Sequence, residues 1–568
     1  MIPALLHPYC VEAAALISQV GGTQFDPNEI DSVVPTNNPA NGDYQWNFAL
    51  RIAKLAKANP RALAEQMRLA FLGKPGVKDA QVAGPGFINI YLDSSWLAAR
   101  LAVQVADPEM GVAPEGHNRT VIIDYSSPNV AKRMHVGHMR STHIGDVLVR
   151  LHRAAKWNVI GDNHLGDWGT QFGKLIVAWN RWRDEDAYAR DPVAELERIY
   201  VLFGVHAENQ PELDELARAE TVKLQQGDAA NRALWADFLE KSLTEYNAVY
   251  QRMGVKFDEM LGESAYRDHT ERIVADLLAD GVAEESEGAV IVRLGDQVSV
   301  VRKRDGASTY TTTDLACVQY RVERWNPDRM VYVTDVRQQQ HFATFFSVAK
   351  RWNVRSELVH VGFGMLKLPE GTMSTRSGNT IRLVDLLDET VARARSVVDE
   401  KSGSIPEDER AEIAEAVGTG AVRYQDLVQS PGTDVSFDWK RMLAMDGNSA
   451  PYLLYSHARA CSLLRKAGGE GWSPNGSTIV LEHSFERDLA LGLLRYPEAF
   501  SAALRNAAPN TLAEHVYRMC ELFNRFYYEL PVLTGGDARQ SRLELVEASR
   551  RVIAHGLRTL GLHPLERM

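Results

Sequence analysis

Hydrophobic and polar positions alternate along this chain with two different periods. From Thr120 to Ile123, β-branched and apolar residues run together until Asp124 and Ser126-Ser127-Pro128 end them, which predicts a short buried strand. Beyond His138, apolar Ile144, Val147, Leu148, Leu151 and Ala155 recur at helical spacing. The segment therefore predicts strand, polar loop and helix. Val331-Tyr332-Val333 predicts a second buried strand with the polar residues Gln338 to His341 behind it, and Val359 to Leu366 a third, carrying glycines. Val290–Leu294 and Gln297–Arg302 alternate at strand spacing, and Asp305-Gly306 is a tight-turn signal. A hairpin there predicts that Tyr310 and Asp314 return toward the end of the first strand. From about residue 391 the pattern is helical, and apolar stripes at Leu453-Leu454, Leu489 to Leu494, Val516 to Phe526 and Leu543 to Leu562 predict a bundle. Phe523, Phe526 and Tyr527 are expected to pack within it.

These patterns divide the chain. Residues 1–115 predict a separate α/β module, with helix around Asn47–Lys57, a Gly84-Pro85-Gly86 turn and a strand at Phe87–Leu92. Asp107-Pro108 to Gly116 reads as a linker. Residues 118–390 predict a nucleotide-binding half interrupted by an insertion over about 175–305. Within the insertion, Pro192 to Gln251 is helical and charged, and is expected to be a solvated support face without a catalytic role. A helical stem over 391–445 and an all-α domain over 446–568 complete the chain.

Composition changes this picture in two places. The net charge of −11 argues against a nucleic-acid partner when spread over the whole chain, but residues 446–568 carry 14 Lys/Arg against 13 Asp/Glu, a balance of +1 that leaves −12 on residues 1–445. A near-neutral helical domain with arginines on one face still attracts phosphates locally. The four cysteines, at 10, 317, 461 and 520, are too scattered for a disulfide framework or a structural zinc site. The start of the chain has no basic segment leading into a cleavable apolar run, and no apolar stretch reaches membrane length, so a cytoplasmic location without membrane contact is expected.

The chemistry gathers at the first loop. His135 and His138 flank Gly137 where the predicted strand gives way to a helix, so they and the first free N–H groups of that helix face the strand's carboxyl end. Two imidazoles beside a residue without a side chain can approach a triphosphate and donate to charge that develops on phosphorus. Alone, an H-x-G-H sequence is equally a capped helix with two incidental histidines.

Ser127-Pro128-Asn129 followed by His135-Val136-Gly137-His138 resembles the first signature of class I aminoacyl-tRNA synthetases, in the form of the arginyl-tRNA synthetases. The similarity continues in Arg140-Ser141-Thr142, in Gly161 to Gly173, in Tyr310 to Asp314, in Met373 to Asn379 and in Glu566-Arg567-Met568. It implies an α/β fold: a Rossmann-like catalytic domain with an N-terminal α/β module and a C-terminal helical bundle that reads the anticodon. Gly42 to Gln45 and Pro85 to Ile90 resemble the N-terminal addition that holds the tRNA elbow in that family, although buttressing of the catalytic domain is the alternative.

The resemblance further implies activation of L-arginine by ATP with Mg2+, then transfer to the 3′ end of a tRNA, with no covalent enzyme intermediate. It implies that ATP lies against Pro128, His135, Gly137, His138, Met365, Met373 and Ser374. For arginine, a planar cation with five fixed donors, carboxylates are the efficient partners. Asp124 and Asp314 are the expected pair, with Tyr310 closing one side, Gln338 orienting the chain and Asn129 holding the α-amino or carboxylate end. Asp314 would equally cap a helix opening at Leu315. The second signature of the superfamily stands here as Thr372-Met373-Ser374-Thr375 and lacks both lysines. Lys132, just before the first signature, is expected to supply the lost charge, with Arg376 assisting. A monomer is expected. The competing readings are a relative that binds tRNA without catalysis and a cofactor-making nucleotidyltransferase.

Overall fold

The computed structural model describes the chain except for residues 22–25, 27, 28, 37, 56, 368–380, 402–404 and 477. Four strands make its central sheet: Thr120–Asp124, Asn158–Asp162, Arg329–Asp335 and Glu357–Phe363. They are all parallel, and the spatial order places Glu357–Phe363 and Arg329–Asp335 on one side of Thr120–Asp124 and Asn158–Asp162 on the other. A parallel sheet needs cover on both faces, which explains why Val121, Ile122 and Ile123 are all fully buried. The helix Val136–Ala154 connects the first two strands. Gly145 lets it lie on the sheet: a Cβ there would fall 2.2 Å from the Tyr125 ring.

The N-terminal module contains the helix Ile2–Gly21 and an antiparallel sheet of four strands. Its Val77–Ala83 and Phe87–Leu92 strands are joined through the Gly84–Gly86 turn; the first of these was not evident from the apolar pattern. The helix expected around Asn47–Lys57 ends at Ile52. This module seats on the C-terminal bundle, not only on the catalytic domain. Arg487 donates to both carboxylate oxygens of Asp43, at 2.8 and 2.6 Å, and Tyr44 donates to Glu498 at 2.7 Å. Arg495 reaches the Asp43 and Thr36 carbonyls, and Gln104 donates to the carbonyl of Leu493.

In the insertion, the helices Pro192–Ala207, Glu212–Gln226 and Ala229–Met253 match the expected helical stretch, but their role differs from a solvated face. Ser242, Tyr246 and Tyr250 of the last one are buried and bond the signature loop. Next comes a small antiparallel sheet whose strands Ala289–Leu294 and Gln297–Arg302 turn at Gly295-Asp296, not at Asp305-Gly306. Asp305-Gly306 makes a second turn, closed by Gly306 N–H to Lys303 carbonyl at 3.0 Å. The chain then enters a helix, Tyr310–Trp325, so Tyr310 and Asp314 arrive on a helix and not on a hairpin strand. Its N-cap is Thr309, which removes the capping role considered for Asp314.

The helices Leu383–Lys401 and Glu407–Leu427 begin the stem about eight residues before the expected position. Five longer helices, from Ala450–Gly469 to Arg539–Thr559, carry the predicted apolar stripes inward, and Phe523 and Phe526 are fully buried. The catalytic domain is tied to the stem by Arg140, which is 1 % exposed and bonds Asp426 at 2.7 Å and the carbonyls of Gly364 and Thr433. Among the described residues, no helix is long and apolar enough to cross a membrane.

Candidate active site

The first strand ends at Asp124, and the backbone then turns sharply, with φ of 73° at Ser126 and 52° at Ser127. Non-glycine residues rarely take this left-handed region, so surrounding bonds must hold them there. Ser126 N–H donates to Ser141 Oγ at 2.9 Å, Ser127 N–H to Asn163 Oδ1 at 3.0 Å, and the Ser126 hydroxyl pairs with Tyr250. Tyr246 donates to the carbonyls of Asn129 and Lys132 at 2.8 and 2.6 Å. The loop carrying the expected site is thus fastened from beneath by the long insertion helix. Pro128 is buried, whereas Asn129 is exposed, its side chain crossing Gly166 so closely that a Cβ there would meet Asn129 Oδ1 at 2.1 Å.

His135 caps the helix that follows. Its Nδ1 accepts the Gly137 N–H at 3.0 Å, and Nδ1 of His138 accepts the His135 N–H at 3.2 Å. A backbone N–H only donates, so both Nδ1 atoms are bare and the neutral rings carry their protons on Nε2. The two rings lie 4.0 Å apart. Burial, with Lys132 adding, lowers the pKa of His135; burial, His135 and Lys132 lower that of His138 to about 3. At neutral pH the pair therefore consists of two uncharged N–H donors at a helix N-terminus. Lys132 is close enough to act on both, its ammonium 4.6 Å above the Tyr200 ring.

Beside this turn lies an acidic cluster. Arg321, fully buried in the Tyr310–Trp325 helix, bonds Asp124 Oδ2 and Asp162 Oδ2, each at 2.7 Å. Sequence reasoning placed the Asp124 carboxylate opposite a substrate guanidinium; here one of its oxygens is engaged by the protein's own guanidinium, and the other has the Ser127 hydroxyl at 3.3 Å. Burial raises the pKa of the Asp162 carboxyl, with Asp124 adding and Arg321 and the nearby His164 opposing. Asp314 bonds His341 Nε2 at 2.6 Å. Tyr332, buried between these groups, has its phenol pushed well above the ordinary range by burial, with Asp124 and Asp314 adding and Arg321 opposing. Asp124 and Asp314 thus act on one buried ring.

Glu263 was not singled out by the sequence, because it lies in a one-turn 3-10 segment with no periodicity. Burial raises the pKa of its carboxyl group, Asp167 and Asp314 add to this, and His164 opposes it, so Glu263 and Asp314 share one acidic corner. Tyr310 begins its helix with the side chain 80 % exposed, at the rim. Gln338 is exposed at the N-cap of the helix Gln339–Arg351. Met365 is exposed, its N–H donating to Asp434 at 2.9 Å. Met373, Ser374 and Arg376 lie outside the described residues.

In the C-terminal bundle, Arg459 lies 4.6, 4.9 and 4.9 Å from the ring centres of Tyr455, Tyr527 and Tyr528, and Tyr528 is 70 % exposed. Tyr527 packs half-buried against the core, as expected, and also meets this cation.

Comparison with known proteins agrees with this layout. The family described as "tRNA synthetases class I (R), catalytic domain" matches residues 103–439, "Arginyl tRNA synthetase N terminal domain" matches 12–92 and "DALR anticodon binding domain" matches 453–568. The chain is 40% identical over 547 residues to an arginine–tRNA ligase of Fusobacterium nucleatum, covering 95% of each. It is also 41% identical to that of Sodalis glossinidius, over 93% of this chain and 94% of the other. An arginyl-tRNA synthetase structure from Plasmodium falciparum superposes with a TM-score of 0.85 at 26% identity, over 100% of this chain and 99% of that one. A parallel sheet with two neutral histidines at its carboxyl end, matched over nearly its whole length to these relatives, places the chain in the arginyl-tRNA synthetase family of class I aminoacyl-tRNA synthetases.

Proposed function

We infer that this protein is an arginine–tRNA ligase, activating L-arginine with ATP and transferring it to the 3′ end of its tRNA with release of AMP and pyrophosphate. The observation that carries the residue-level reading is the pair of neutral imidazoles with bare Nδ1 atoms, next to Lys132 and beside an acidic corner. In this reading, the Nε2–H groups of His135 and His138 donate to phosphate oxygens as charge develops during attack by the arginine carboxylate on the α-phosphorus. Position and charge stabilisation suffice, because no enzyme nucleophile takes part. Pro128, Gly137, Met365, Met373 and Ser374 line the nucleotide side. Mg2+ enters with ATP, bound chiefly by phosphates and water.

The guanidinium is received by Asp314 with Glu263 alongside. Asp124 contributes a carboxylate held by Arg321 beside this corner. Tyr310 covers the rim, and Asn129 and Gln338 hold the polar end of the amino acid. Such a site rejects uncharged or fork-less analogues, since its buried polar groups would be left unpaired. Lys132 supplies the charge that the Thr372–Thr375 signature lacks, with Arg376 assisting. Arg459 and its three tyrosines form a stacking surface for tRNA bases. The enzyme works as a cytoplasmic monomer.

Aminoacylation of total tRNA, assayed separately with each of the twenty amino acids, tests the activity; charging with anything other than arginine overturns it. Replacement of Lys132 by alanine is expected to lower arginine-dependent pyrophosphate exchange by about a hundredfold, measured with tRNA present. A near-wild-type rate would remove Lys132 from the mechanism.

A further inference from the structure

His341 has no part in the reading above, yet it makes the shortest side-chain bond to the carboxylate expected to meet arginine. Its Nε2 lies 2.6 Å from Asp314 Oδ2. Both side chains are about one-third exposed, at 36% and 31%, so they stand at the open end of the site and not in the core. Phe342 and Phe345 flank the ring, with centroids at 5.6 and 6.4 Å. They limit its swing. Gln338 is one helical turn earlier on the same chain.

We propose that His341 is a positioning residue: as an imidazolium it holds Asp314 in place in the free enzyme, and it releases its proton when the guanidinium of arginine takes over that carboxylate. The proposal rests on the reading that Asp314 receives the guanidinium. A lone carboxylate about one-third exposed would turn toward water. An imidazolium keeps it aimed and offsets its repulsion with Glu263. Arriving arginine brings a second cation against the first, and only the imidazole can discharge by losing a proton, since a guanidinium stays protonated at any working pH. The proton passes from Nε2 to solvent and no covalent bond changes.

Neighbouring groups that could compete for His341 have partners of their own. Asp335 closes on Arg337 at 2.7 Å in the turn before the helix. His360, on the neighbouring strand, faces Thr334 at 2.9 Å and stacks on Phe342, not on His341. Arg351 at the far end donates to the carbonyl of Arg293. Asp314 therefore governs His341: its hydrogen bond raises the imidazole pKa, and burial opposes it. The sign follows. Below that raised pKa, arginine must expel a proton to bind, so its affinity falls as pH falls; above it, affinity is independent of this group.

Calorimetric titration of the full-length enzyme with L-arginine, in two buffers of different ionisation enthalpy, reads the proton directly. The wild type is expected to release close to one proton per arginine on the acid side, with Kd rising toward tenfold per pH unit. His341→Asn and His341→Gln are expected to release none and to show a flat Kd over the same range. The ATP KM is expected to keep its wild-type pH profile in both. Unchanged proton release or an unchanged Kd profile in both variants overturns the proposal. Asp314→Asn separates the two readings: a wild-type arginine Kd there overturns the assignment of Asp314. If Kd rises by a hundredfold or more while the His341 variants still behave as wild type, only the role of His341 falls.

Discussion

Among the described residues, Arg140 and Asp426 form a deeply buried charged contact between the catalytic domain and the stem, at 1% and 0% side-chain exposure. Removing one partner of such a pair is expected to cost far more than the pair contributes, because the remaining charge is stranded in a low-dielectric interior. Arg140→Leu is expected to destabilise the fold by about 3–5 kcal/mol, read as a lowered midpoint in thermal melting. A melting curve like that of the wild type would contradict this. The three-tyrosine surface around Arg459 calls for a different readout. Loss of one exposed stacking ring, in Tyr528→Ala, is expected to raise the tRNA KM about tenfold while leaving the arginine KM unchanged. Arg321 has no such simple test, since its single guanidinium holds two carboxylates at once.

The long insertion helix Ala229–Met253 supports chemistry it does not perform. Its Tyr246 hydroxyl holds two carbonyls of the signature loop, and its Tyr250 hydroxyl holds Ser126 and Asn163. Small displacements of reacting groups are costly in rate, so Tyr246→Phe is expected to slow aminoacylation by about tenfold to a hundredfold with modest loss of stability. Rates near wild type would mean that the loop keeps its shape unaided. This helix also shows where sequence reasoning stops. The strand, loop and signature helix were legible because their residues are contiguous and their periods are distinct. The support of that loop by Tyr246 spans more than a hundred positions, and nothing local in the polar pattern of 192–251 announces it. Asp314 illustrates a different limit: the apolar run after it suggested a helix start, but Thr309 is the cap and the helix opens with Tyr310-Thr311-Thr312-Thr313, whose threonines mask the helical period. Glu263 and Arg321 went unnoticed because each acquires meaning only from partners brought by other elements.

For the whole molecule, buried histidines set the response to acid. Burial lowers His138 to about 3, and His152 and His515 to about 4. The unfolded chain protonates these rings near pH 6.5 while the folded one resists, so the stability they confer is complete above about pH 6.5 and is lost as pH falls toward 4. Each is expected to contribute a slope of about 1.4 kcal/mol per pH unit in that window. Glu498 runs the other way. Burial beneath Tyr44 raises it to about 7, so its contribution is full below the ordinary carboxylate range and fades as pH rises through 7. Thermal melting between pH 7 and 4.5 is expected to show a net fall toward acid. Glu498→Gln, which stays neutral, should steepen that fall; a shallower one would refute the assignment.

The seat of the Gly42–Gln45 turn on Arg487, Arg495 and Glu498 bears on how the chain is made. These partners leave the ribosome more than four hundred residues after Asp43, so the first module must wait with the Asp43 carboxylate held by the Leu92 N–H but lacking its cation, and with the Tyr44 ring uncovered. A nascent or truncated chain that stops before Arg487 therefore displays a sticky, half-finished surface, and the bundle, made later, also acts as the cover that completes the earlier module.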